Sequence, residues 1–117
     1  MKLAKYSGHA ITHPPEPGVP LWQRAPTRDS DGQCLTDFMM LFPRLGQQSV
    51  AEIERVSRII RSVLALRSEV VFADLNLKLN LLWVSLKPRQ GAIAEISAIL
   101  RTLIPGALLI AHHVEPG

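Results

Sequence analysis

The sequence has a single cysteine, Cys34, so no intrachain disulfide can form. A chain without disulfides favours a reducing compartment, and we expect a cytoplasmic protein. Long apolar runs are also lacking, since none approaches the roughly 20 residues of a membrane-spanning helix. The first nine residues include lysines but no apolar segment, so we predict no secretory signal.

The chain is poor in aromatic residues, at 5%, and its net charge is only +3. No aromatic pattern typical of an RNA-binding sheet is present. The most basic stretch is the first predicted helix, and a basic helix face can follow phosphates. We interpret it as a solvated outer face and do not expect nucleic-acid binding. Its arginines are Arg55, Arg58, Arg61 and Arg67.

Motifs for catalysis and metal binding are lacking as well. His9 and His13 have the spacing of two metal ligands on a helix, but two prolines follow at once and disfavour a helix there. His112 and His113 are adjacent on a predicted strand, so their side chains point to opposite faces. We find no nucleophile motif and no phosphate-binding glycine loop. The sequence therefore predicts no catalytic residue, no metal site and no cofactor.

Proline is concentrated in one region, with five prolines between Pro14 and Pro26. Proline fixes φ and removes a backbone donor, so this region fits neither a central strand nor a regular helix. We predict an extended N-terminal arm over residues 1–33, followed by one domain over residues 34–117. Trp22 lies in the arm, and we expect it to anchor the arm on its own domain or on a second subunit.

Part of the domain is repeated. The segment Pro43 to Gly46, followed by Ala51 to Ile53, recurs as Pro88 to Gly91, followed by Ala94 to Ile96. Each copy follows an apolar, strand-like run and precedes an amphipathic, helix-like run. The repeat indicates two β-then-α halves.

Hydrophobic periodicity and stop signals place the individual elements. Ser49 and Glu52 have the spacing of a capping box at the start of the first helix. Gly91 is an acceptable N-cap for the second helix, which Pro105 ends. The predicted elements are strand 35–42, helix 50–66, strands 70–76 and 80–87, a second helix from Gly91 to about Ile104, and strand 108–114.

The order βαββαβ resembles the ferredoxin-like fold, which ACT-type regulatory domains and many dimeric α+β barrels share. The resemblance is one of topology and covers about Leu35 to Val114. It implies an α+β sandwich with a four-stranded antiparallel sheet in the order 4-1-3-2 and both helices on one face. We also expect the first and third strands to be parallel neighbours, so that the loops after them lie side by side.

One face of that sheet is more apolar than a solvated surface should be. If the helices cover one face, the opposite face still carries Met39, Leu41, Leu81 and Trp83. A contiguous apolar patch of this kind is usually covered. Another copy of the sheet, the Trp22 arm or both could cover it. We predict a homodimer whose interface includes these four residues and Trp22.

The two repeated loops each place an arginine and a glycine before a helix. Free N–H groups and the positive end of the helix dipole favour anions there, and arginine can bind a carboxylate or phosphate with two hydrogen bonds. The predicted anion site contains Arg44, Gly46, Arg89 and Gly91. The alternative is that the two arginines are solvated or pair with Glu95 or Asp37.

These observations favour a non-catalytic, homodimeric module that binds a small anionic ligand or a protein partner. A small enzyme of the dimeric α+β barrel kind is the alternative, with Asp37, Asp74 and His113 as the polar candidates for its pocket. Nucleic-acid binding through the first helix comes third.

Overall fold

The computed structural model describes residues 2–3 and 34–113, and at 2–3 and 111–113 it describes the backbone alone. The predicted arm therefore lies outside the described residues, apart from Lys2 and Leu3. Trp22, His9 and His13 lie outside them as well.

The described residues form an α+β domain, as predicted. Seven elements are present: β1 (Lys2–Leu3), β2 (Thr36–Leu41), α1 (Val50–Ala65), β3 (Val70–Asn76), β4 (Leu81–Leu86), α2 (Ala92–Leu103) and β5 (Leu108–His113). A single 3-10 turn, Leu45–Gln47, lies before α1. Apart from β1 and this turn, each element begins and ends within two residues of its predicted position.

The sheet has the strand order β1-β3-β4-β2-β5. β2 pairs antiparallel with both β4 and β5, and β3 pairs antiparallel with β4. The four longer strands thus form the predicted antiparallel sheet. β1 joins it as a fifth strand parallel to β3. The sequence did not predict β1, because two residues carry no periodic pattern.

The expectation that the first and third predicted strands are parallel was wrong. They correspond to β2 and β4, which run antiparallel with Leu41 opposite Leu81 and Thr36 opposite Leu86. The reason is topological. Each helix crossover returns the chain in its original direction, but the β3–β4 hairpin reverses it once between the two halves.

The core lies between the two helices and one face of the sheet. Phe38 and Met40 of β2 are fully buried, and Val84 of β4 lies beside them. Both helices contribute to this core with residues at helical spacing, as predicted. The helical members are Ile53, Val56, Ile60 and Leu64 from α1 and Ala92, Ile96 and Leu100 from α2.

The two helices begin differently. Ser49 caps α1 by accepting a hydrogen bond of 3.1 Å from the Glu52 N–H, as predicted. The carboxylate of Glu52 does not complete the capping box, because it accepts two hydrogen bonds from Arg55, at 2.9 and 2.8 Å. α2 begins at Gly91, which has a φ of 79° and offers no side chain to cap the helix.

Two asparagines form the β3–β4 turn, for which no glycine was available. The side-chain oxygen of Asn76 accepts hydrogen bonds from the N–H groups of Lys78 and Leu79, at 2.9 and 3.0 Å. Asn80 adopts a φ of 59°, a left-handed conformation that asparagine tolerates better than most residues. The two asparagines together reverse the chain between the strands.

Candidate functional site

The structure does not bring the predicted anion-binding residues together. Arg44 follows β2 and Arg89 follows β4, and these neighbouring strands run in opposite directions. The two loops therefore lie at opposite ends of the sheet, separated by the length of a six-residue strand, roughly 20 Å. One small anion cannot bridge both arginines, so this part of the prediction was wrong.

The loop after β2 packs closely against the β3–β4 turn. The N–H of Gly46 donates a 2.7 Å hydrogen bond to the side-chain oxygen of Asn80, so this N–H already has an acceptor. A Cβ added at Gly46 would lie 2.1 Å from the carbonyl oxygen of Leu77. The glycine is thus needed for close contact with the β3–β4 turn. Arg44 is exposed and has a φ of 64°.

The arginine of the loop after β4 forms two ion pairs. Arg89 donates to the carboxylate of Glu69 at 2.7 Å and to that of Glu95 at 3.1 Å. Glu95 also pairs with Arg67 at the end of α1. The alternative that Arg89 pairs with Glu95 is therefore confirmed. The network holds two arginines and two glutamates, so its charges balance and it offers little net attraction for an anion.

The same pairing changes how basic the first helix is. Arg55 pairs with Glu52 on α1, and Arg67 pairs with Glu95 on α2. Two of the four arginines predicted to form a basic surface thus have a carboxylate beside them. This pairing lowers the positive potential that a phosphate backbone would meet.

The ion-pair network shifts the pKa values of its members in the directions expected for stabilised charges. Hydrogen bonds from Arg67 and then Arg89 lower the pKa of the Glu95 carboxyl. A hydrogen bond from its own backbone N–H, together with Arg89, lowers the pKa of Glu69. Hydrogen bonds to Glu69 and Glu95 raise the pKa of Arg89.

Replacing Glu69 by glutamine is expected to weaken the acid sensitivity of folding. A carboxyl whose pKa is lower in the folded chain stabilises the fold above its unfolded pKa, about 4.3. That stabilisation is lost as the pH falls through the folded pKa. Urea midpoints at pH 7 and pH 3 should therefore differ less in Glu69→Gln than in the unaltered chain. Glu54→Gln, which removes the same charge at an exposed position on α1, is the control.

A pocket of about 500 Å³ lies beside this network. The described residues that line it come from the β4–α2 loop, the first turn of α2, the start of β2 and the start of β5. This volume falls within the range of small-molecule sites, and its walls carry mostly apolar groups. The lining residues are Thr36, Pro88, Arg89, Gln90, Gly91, Ile93, Ala94 and Leu109.

The first turn of α2 adds backbone polar groups to this pocket, beside the side chains of Thr36, Arg89 and Gln90. The N–H of Ala92 donates to the carbonyl oxygen of Arg89 at 3.0 Å. Ile93 and Ala94 follow in the same turn, where helix N–H groups have no partner within the helix. Within the described part of the chain, no side chain caps this helix start. The pocket therefore combines apolar walls with backbone N–H groups that can donate to a ligand.

The second face of the sheet, which points away from the helices, is largely shielded from solvent. Met39, Leu41, Leu81 and Trp83 are each half-buried rather than exposed. Ser85 lies on the same face with 0% of its surface exposed. Among the described residues, neither the Ser85 hydroxyl nor the Trp83 indole nitrogen has a hydrogen-bond partner. The four predicted interface residues thus share one face, but they present less apolar surface than the sequence suggested.

Two of the three polar residues considered for an enzyme, Asp37 and Asp74, also lie on this face. Asp37 lies opposite His113 in the β2–β5 ladder, and Asp74 lies opposite Trp83 in the β3–β4 ladder. Asp74 is buried, with 3% of its surface exposed. Neither aspartate lines the 500 Å³ pocket, nor the cleft of about 120 Å³ beside Pro43 and Pro105.

Sequence reasoning missed the pocket and one exposed surface. Thr36, Ile93 and Leu109 line the pocket from three different elements, and no local pattern links them. Leu108 and Ile110 of β5 are exposed over 51% and 47% of their surfaces. The place of the last strand in the predicted order 4-1-3-2 was a signal that it lies at an edge.

In comparisons with protein families, curated proteins and solved structures, the chain matched none. Within the described ranges, no helix has both the length and the apolar character needed to cross a membrane. The same residues contain no group of three or more histidine, cysteine, aspartate or glutamate side chains that could hold a metal ion.

Proposed function

We propose that the chain is a non-catalytic binding module with a ferredoxin-like fold that acts as a homodimer. The antiparallel sheet and the single core shared by both helices support this fold. The pocket between α2 and β5 supports ligand binding, and the proposal rests mainly on this pocket.

The pocket favours a ligand with an apolar body and one acceptor group. Ile93, Leu109 and Pro88 supply apolar contact, which is worth about 25 cal/mol per Å² of buried surface. The free N–H groups at the start of α2 supply donors for a carboxylate. Arg89 contributes little net charge because two glutamates already neutralise it. A small carboxylate with an aliphatic chain fits this combination better than a bare phosphate.

Amide chemical shifts of the 15N-labelled full chain test this proposal with octanoate, octan-1-ol and inorganic phosphate as probes. Octanoate should shift the amides from Gln90 to Ala94 and that of Leu109. Octan-1-ol should shift the same amides more weakly, because it lacks the carboxylate. Phosphate alone should shift none of them. Absence of a response to octanoate, or a response to phosphate only, would count against the proposed ligand.

Filling the pocket should abolish this binding without unfolding the domain. Ala94 lines the pocket and is exposed, so Ala94→Phe places an aromatic ring in the ligand's space at little cost to the core. The matched control is Ala98→Phe, one turn further along α2, at an exposed position outside the pocket lining. We expect at least about tenfold weaker octanoate binding in Ala94→Phe, or about 1.4 kcal/mol, and no change in Ala98→Phe. Equal binding in both variants would place the ligand elsewhere.

A small enzyme is the second candidate, favoured by the placement of Asp37 and Asp74 on one face of the sheet. The buried, unpartnered hydroxyl of Ser85 on that face adds a further polar group. The same amide spectra separate the two candidates. Shifts centred on Asp37, Asp74 and Ser85, rather than on the start of α2, would favour an active site on the second face.

A further inference from the structure

In the sheet that the described residues form, β5 is one edge strand, beyond β2 in the strand order, and β1 is the other. The outer backbone groups of an edge strand can pair with another strand, and natural edges are usually protected by charged residues or proline. β5 has neither, since its sequence from Leu108 to His113 contains no lysine, arginine, aspartate, glutamate or proline. Two of its large apolar side chains, Leu108 and Ile110, are exposed.

The helix beside β5 is also low in charge. α2 contacts β5 and carries two charged residues in twelve, Glu95 and Arg101, whereas α1 carries five in sixteen. Ala94 and Ala98 on α2 are small and exposed. Among the described residues, three of the six large apolar side chains that are exposed lie between positions 103 and 110. α2 and β5 therefore form one continuous side of low charge.

We propose that two copies of the chain pair through this side, with β5 antiparallel to β5 of the second copy. A twofold axis places the same strand opposite itself, and an uncharged strand is complementary to itself in that arrangement. A partner of opposite charge is not indicated, because neither β5 nor the nearby surface of α2 has a dominant charge. This inference rests on the homodimer of the proposed function and places its interface at the β5 edge, where Leu108 lies opposite Leu41.

Side chains must contribute along with the backbone. A stable interface buries about 800 Å² on each partner, more than one short strand supplies. The β2–β5 ladder also contains a bulge at Ile110, between the pairs Met40–Leu109 and Met39–Ala111. The bulge interrupts regular pairing, so the exposed side chains of Leu103, Leu108 and Ile110 carry much of the contact.

Sedimentation velocity on the full chain at micromolar concentrations tests this interface with two lysine variants. Ile110→Lys places a charge in the centre of the contact and should weaken dimerisation by about 30-fold or more. Leu66→Lys is the control, since Leu66 is 85% exposed at the end of α1, away from β5. It should leave the dimer unchanged. Leu108→Lys repeats the test if Ile110→Lys fails to fold, as judged by its amide spectrum.

The outcomes separate the interface from the proposed function. A dimer that dissociates in Ile110→Lys but not in Leu66→Lys supports the inference. A dimer that survives Ile110→Lys and Leu108→Lys overturns it, while the homodimer and the octanoate site stand. A monomeric unaltered chain overturns both the interface and the homodimer, whereas octanoate binding is decided separately by the amide shifts.

Discussion

Replacing Gly46 by alanine is expected to lower the free energy of unfolding by about 3 kcal/mol or more. The added Cβ would lie 2.1 Å from the carbonyl oxygen of Leu77 and 3.1 Å from the side-chain oxygen of Asn80. The closer neighbour is backbone, so it cannot rotate away as a flexible side chain would. Relief requires the 3-10 turn and the β3–β4 turn to separate, which would also break the 2.7 Å hydrogen bond from Gly46 to Asn80.

Gly91→Ala is the matched control, because Gly91 occupies the corresponding position in the second copy of the repeat. A Cβ at Gly91 would have none of the described residues within 4 Å, so its φ of 79° is what opposes the substitution. A left-handed conformation costs an alanine about 1–2 kcal/mol. Urea unfolding followed by circular dichroism measures both variants. Equal losses in the two would show that close packing at Leu77 does not determine the need for Gly46.

This difference between the two glycines shows what a repeat can predict. The repeat correctly indicated that a strand precedes each loop and a helix follows it. It also suggested equal roles for Gly46 and Gly91, and that was wrong. Gly46 meets a turn more than 30 residues away along the chain, and nothing in its local sequence specifies that contact.

Local signals predicted the elements well because short-range physical chemistry determines them. Ser49 caps α1 through one hydrogen bond to a residue three positions away. Alternation along β4 separates buried Val84 from half-buried Trp83. The β3–β4 turn was placed correctly at residues 77–79, although the roles of Asn76 and Asn80 in forming it were missed. An asparagine at each end of a turn is itself a usable signal, since asparagine side chains accept from nearby backbone N–H groups.

The candidate site was less predictable because it depends on how distant elements meet. Arg44 and Arg89 cannot bridge one anion because the β3–β4 hairpin reverses the chain. β2 and β4 therefore run antiparallel, and the loops after them lie at opposite ends of the sheet. The pocket depends on Thr36, Ile93 and Leu109, which only the folded sheet brings together. The ion pair between Arg89 and Glu95, which are six residues apart, was among the alternatives considered. The ion pair between Arg89 and Glu69, which lies twenty residues earlier, was not considered.

Replacing Met40 by alanine is expected to cost about 2–5 kcal/mol, as for other large side chains removed from a packed core. Met40 has no exposed surface and lies between the sheet and the helices. Met39 is the matched control, since it is the same residue type at the adjacent position and points to the second face, where it is half-buried. Met39→Ala should cost about 1 kcal/mol, because less apolar surface is lost there.

Urea midpoints of the two methionine variants, measured at the same protein concentration, decide how the second face is packed. A small loss in Met39→Ala agrees with a face that is shielded but not tightly packed, and then β5 presents the stronger apolar surface for a second copy. A loss as large as that of Met40→Ala would mean that the second face is a full second core. Dimerisation stabilises the folded chain more at higher protein concentration, so the apparent stability then depends on concentration. If the Met39→Ala loss grew as the protein concentration rose, the second face itself would join the two copies, and the β5 interface would be wrong.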